Sequence, residues 1–177
     1  MRGIFAGALA LMAATAALAQ PAPPSGTATD IPNADVQALA NTLMTMPGGD
    51  QLLRVVPINN GEYNVGVAVV HRQKAGPNAV QASLSHNEIT EVYEVLTGSA
   101  MMVTGGTLED AKPQPSVTPV VGPSMTGPRI IGGRSQKVGP GDVVIVPPNT
   151  PHGFSEVYED MIYLVVRADP HKVLPIK

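Results

Sequence analysis

The chain has no cysteine, no tryptophan and only two phenylalanines among 177 residues. The first absence excludes disulfides and a lipid-modified cysteine anchor, so the fold rests on its core or on a metal. The scarcity of aromatics removes the stacking platform that would bind bases or sugars; beyond the N-terminal segment Phe154 is the only phenylalanine. No basic run occurs. Eleven Lys and Arg face 14 Asp and Glu, a net charge of −3, which leaves no electrostatic footprint for nucleic acid or an anionic membrane. There is no nucleophile elbow and no phosphate loop, which disfavours hydrolase and kinase chemistry. Internal repeats and strand–helix alternation are absent as well.

What is present begins with "MRGIFAGALALMAATAALAQ". Arg2 is followed by an uncharged Ala/Leu-rich run from Gly3 to Ala19, ending in Ala17-Leu18-Ala19, a small-x-small cleavage site. The run is at the short limit for spanning a bilayer and alanine is weakly apolar, so a cleaved signal peptide over 1–19 is expected rather than an anchor. That reading implies a periplasmic or secreted protein with no membrane segment after cleavage. Residues 20–33, rich in Pro, Ser and Thr, read as a flexible linker, and 34–177 as a single domain.

In "ADVQALANTLMTM" the residues Val36, Leu39, Ala40 and Leu43 fall at helical spacing, with Asn33 as cap, so one short amphipathic helix is expected. The pattern then changes to period two. Short Val/Ile-rich runs such as "EYNVGVAVVHRQ", "EVYEVLTG", "DVVIVPP" and "MIYLVVRA" alternate with turns such as "NNG", "GPGD" and "PPNTP". This predicts an all-β sandwich or barrel. The segment 107–127 breaks the rhythm. It is too long for a hairpin turn, and its role is either a lid on the barrel or a bland excursion.

The ionisable residues concentrate in "SHNEITEVYEVLTG" (85–98). Alternation puts Val80, Ala82, Leu84 and His86 on one face, the apolar one. In the next strand Glu91, Tyr93 and Val95 share a face. A glutamate at core parity is costly to bury unpaired and asks for a metal, a cation or a proton. His152 follows Pro147-Pro148-Asn149-Thr150-Pro151, a stiff turn that fixes the backbone around it. The uniformly apolar Val143–Val146 is expected to be buried on both sides. His71 shares a face with Tyr63, Val65, Val67 and Val69, and is a further inward-facing candidate. Tyr93 is a candidate to bind a ligand or act as an acid, against a plain packing role. Glu88, Glu94 and His171 are expected at the surface, as are Arg129 and Arg134 unless they meet a carboxylate.

His86, four residues, Glu91, six residues and Gly98, then Gly141, five residues, Pro147-Pro148-Asn149, two residues and His152: this chain resembles the cupin family. It is most similar to small exported bacterial cupins with a single type 2-like barrel. Motif 1 spans about 84–98 and motif 2 about 141–156, and the likeness covers roughly 55–168. Asn149 stands where the family has glycine, and asparagine also tolerates positive φ. Glu156 stands where it has asparagine, and Leu84 where it has the first motif histidine. The resemblance implies a double-stranded β-helix or jelly-roll barrel and a divalent transition metal (Fe, Mn, Zn or Ni) held by His86, Glu91 and His152, with His71 as a possible substitute ligand. It implies an oxygenase, isomerase or lyase acting on a small organic molecule, and a possible homodimer. The alternative is a metal-free ligand-binding or sensing barrel, favoured by Leu84.

Overall fold

The computed structural model describes residues 26–77 and 83–177. The segment read as a signal peptide, and residues 20–25 of the linker, lie outside the described residues. Helix α1 (Asn33–Leu43) is followed by β1 (Gly49–Ile58), β2 (Tyr63–Arg72), β3 (Ser83–His86), β4 (Thr90–Thr97) and β5 (Ala100–Thr104). Then come β6 (Thr107–Leu108), β7 (Lys112–Pro113), the short helix α2 (Thr118–Val121), β8 (Ser124–Gly127) and β9 (Ile130–Ile131). The chain closes with β10 (Arg134–Val138), β11 (Val143–Val146), β12 (His152–Val157) and β13 (Met161–Asp169).

Two antiparallel sheets face each other. One has the order β1-β2-β13-β4-β11, the other β10-β5-β12-β3-β8-β7, and β6 pairs with β9 in a small third sheet. From β2 to β5, and again from β10 to β13, successive strands alternate between the two large sheets. The chain therefore winds as a double-stranded β-helix, the expected jelly-roll class. Between the sheets lies the main core, including Val55, Ala68, Val70, Tyr93, Met102, Phe154, Tyr163 and Val165. Turn residues match the backbone: Gly98 has φ +73° and a Cβ there would sit 2.4 Å from the Asp160 carbonyl oxygen, so only glycine fits.

A second cluster lies outside the barrel, where α1 seats Ala40 and Leu43 on Val69 and Ile162. This is the amphipathic helix expected from the apolar spacing. It begins at Asn33 itself, with Pro32 at the cap position and no side-chain cap bond, because Pro32 already holds the extended backbone a cap requires. The α1 contact also corrects the reading of His71. Val69 and His71 share a face, but that face lies under the helix. The interior face of β2 is the one carrying Ala68 and Val70. Strand β11 differs too. It is the edge of its sheet, and Val143 and Ile145 are 62% and 66% exposed.

Candidate metal centre

The three sequence-predicted ligands come from two corners at the same end of the barrel. His86 closes β3, the buried Ile89 anchors the turn that follows, and Glu91 enters β4 on its interior face. His152 opens β12 after the proline-rich turn. Asn149 in that turn adopts φ +59°, its N–H donates to the His86 carbonyl at 2.7 Å, and its side-chain amide donates to Asn87 O at 3.3 Å. The two corners are thus bonded to each other, and Asn149 does what glycine would do there.

All three side chains are buried, and their donor atoms lie within 4.8 Å of one another. Nε2 of His86 stands 3.5 Å from Glu91 Oε2, and Nε2 of His152 stands 3.6 Å from the same oxygen. Ligand atoms about 2.1 Å from a tetrahedral ion are separated by about 3.4 Å. The tautomers follow from the partners. Ser124 Oγ donates its one proton to Gly122 O at 2.9 Å, so it accepts from His86 Nδ1–H at 2.8 Å. His152 Nδ1 faces the Thr150 carbonyl at 2.9 Å, which only accepts, so this nitrogen also carries its proton. Both Nε2 lone pairs therefore point at a carboxylate oxygen with no proton between them. Three electron-pair donors held together in this way fit a divalent cation.

The electrostatics keep His86 and Glu91 deprotonated. Burial is the largest single influence and would raise the pKa of Glu91, but the Arg167 guanidinium, the two histidines and the Tyr93 hydroxyl together outweigh it, and the carboxyl is held down at about 2. Arg167 Nε donates to Oε1 at 2.9 Å, leaving Oε2 to face the imidazoles and to accept from Tyr93 OH at 2.7 Å. Burial lowers His86 to about 3, against the pull of Glu91. Burial and the adjoining Glu91 push the Tyr93 phenol well above its ordinary range, so Tyr93 keeps its proton and acts as a donor to Glu91.

Arg167 is the residue missed from sequence. It lies directly opposite Glu91 in the β13–β4 pair, is 1% exposed, and also binds Asp50 Oδ2 at 2.5 Å and Val120 O at 3.1 Å. Alternation places Tyr163, Val165 and Arg167 on one face, so a cation at core parity was the available signal. Its Val120 contact ties the segment 107–127 over the site. That segment is structured, contributing β6, β7, α2 and β8, and Val121 is buried. Leu84, opposite His152 in the β3–β12 pair, lines the same cavity of about 490 Å³. A larger cleft of about 850 Å³ on the outer face of β1 and β2, lined in part by residues 26–31, holds no ligand cluster.

His71 is not part of the centre. It is buried beneath α1 with both ring nitrogens lacking a hydrogen-bond partner, and its Nε2 is 3.9 Å from Asp160. The exposed Arg129 meets the half-buried carboxylate of Glu109 at 2.7 Å, away from the site. Glu94 and His171 are exposed, as expected.

With two alternating sheets and both motif corners converging inside them, the family resemblance becomes a statement about architecture. The fold is a double-stranded β-helix, the architecture that the cupin resemblance implies. No family model matches the chain, and no curated protein does. Among solved structures the barrel is similar to the EutQ protein of Clostridium difficile, at 10% identity over 70% of this chain and 69% of that one, TM-score 0.41. It is also similar to the DMSP lyase DddQ of Ruegeria pomeroyi, at 18% identity over 71% and 49%, TM-score 0.44. A third is KdgF from Halomonas, at 13% identity over 70% and 81%, TM-score 0.43. Against DddQ the chain spans about half the partner's length.

Proposed function

We propose that this cupin is an exported, divalent-metal-dependent enzyme acting on a small organic molecule, by oxygenation, isomerisation or elimination. The observation that carries the reading is the convergence of two imidazole lone pairs and one carboxylate oxygen inside the barrel. His86 and His152 would hold the ion through Nε2 and Glu91 through Oε2. The ion would polarise a substrate oxygen or activate dioxygen from its open positions. Ser124 and the Thr150 carbonyl hold the rings in the ligating tautomer. Tyr93 orients the carboxylate, and Arg167 confines Glu91 to one free oxygen. The segment bearing α2 covers the cavity and limits water around the reacting group.

Leu84 favours a second reading, a metal-free barrel that binds or senses a small ligand, since a hydrocarbon stands where a third imidazole is expected. Elemental analysis of the purified protein beside a His86→Ala, His152→Ala double variant separates the two. The first reading expects near-stoichiometric metal in the parent and little in the variant. A parent that takes up no metal under reducing reconstitution sinks it. Export and a homodimer belong to the same proposal, to be checked by cell fractionation and by light scattering. Among the described residues no helix is long and apolar enough to cross a membrane.

A further inference from the structure

The charges fixed in the cavity wall cancel before any metal is added. Two cations, Arg72 and Arg167, and two anions, Asp50 and Glu91, line it. Arg167 engages both anions, Glu91 through Nε and Asp50 through Nη2. The other oxygen of Asp50, Oδ1, is buried without a hydrogen-bond partner, so Asp50 is not bonded to Arg72. No carboxylate among the described residues forms an ion pair with Arg72. Its polar neighbour is the phenol of Tyr163, which carries no charge. Arg72 feels the charge of Asp50 without a direct ion pair to it, so its guanidinium fork keeps hydrogen-bonding capacity in the cavity that no carboxylate of the described residues takes up.

Resting on the metal centre proposed above, the sum changes sign. The charge of Glu91 is already matched by Arg167, so a divalent ion on His86, Glu91 and His152 adds two positive charges that the wall does not offset. Leu84, Val117 and Phe154 line the same space, and uncompensated charge beside apolar wall is costly. An anion entering from outside relieves it. A guanidinium fork matches a carboxylate with two parallel hydrogen bonds, and a cavity of about 490 Å³ suits a small molecule. We infer that the substrate is a small organic carboxylate, anchored by Arg72 beside Tyr163, and that metal and carboxylate bind cooperatively.

Zinc affinity, measured by competition with a chromophoric chelator, tests this without turnover. The competition is run with no addition, with propionate, or with propionamide, its uncharged counterpart. Saturating propionate is expected to tighten zinc binding about tenfold or more, and propionamide to leave it unchanged. Arg72→Met should lose the gain from propionate, read as the ratio of its own zinc affinities with and without propionate. Arg72→Lys, which keeps the charge without the fork, should retain part of it and guards against a misfolded methionine variant. Equal zinc affinity with and without propionate in the parent overturns the inference, as does an undiminished gain in folded Arg72→Met. Zinc binding in none of these solutions overturns the metal centre itself.

Discussion

Ser124 has one proton, and where it goes decides the chemistry of His86. Because the proton is given to Gly122 O, the ring must donate to the serine and aim a lone pair inward. Ser124→Ala should leave the fold intact and weaken metal affinity about tenfold to a hundredfold, the usual cost of losing a ligand's support; chelator competition reads it directly. Arg167→Met acts on stability instead. It would strand Glu91 and Asp50 in the cavity without their cation, at about 3–5 kcal/mol, seen as a lowered urea midpoint. At this scale the sequence was informative where parity and chemistry agreed. His86 and Glu91 stood out as polar residues on apolar faces. Arg167 sat at the same parity in β13 but its long side chain is also at home on a surface. His71 shows the limit: alternation says which residues share a face, while which face turns inward depends on what packs against it.

Among the elements, α1 and the metal corners lie on opposite sides of the five-stranded sheet. Leu43 is fully buried against that sheet's outer face, so Leu43→Ala should cost about 2–5 kcal/mol and leave metal content unchanged; chemical denaturation and elemental analysis on the same sample test both halves. The barrel strands were legible because period-two runs and Gly/Pro turns leave little choice. Strand β11 was not. An unbroken Val-Val-Ile-Val run fits a central strand and an edge strand equally well, and only the sheet order distinguishes them. The segment 107–127 was legible as an interruption. Its short strands and four-residue helix carry too few residues for a periodic signal, and they form through pairing with β3 and contact with Arg167.

For the whole molecule, acid is the weak direction. His86 moves from its ordinary 6.5 to about 3 on folding and Glu91 from 4.5 to about 2. In both cases the unfolded chain takes the proton first. The stability from His86 is thus complete above pH 6.5 and lost as pH falls toward 3, and that from Glu91 is lost between 4.5 and 2. Metal-free protein taken from neutral pH to pH 4.5 should lose on the order of 2 kcal/mol through His86. His86→Gln should show a flatter profile over the same range when unfolding is followed in urea.

Strand β13, the most C-terminal strand, occupies the middle of its sheet, between β2 and β4. During vectorial synthesis the barrel therefore waits with a gap at its centre. Glu91 is made 76 residues before Arg167 and Asp50 117 residues before it, so both acids stay without their counterion until the final strand inserts. Distant pairings of this kind slow folding, and a nascent chain stalled short of Met161 should present two open strand edges to chaperones and proteases.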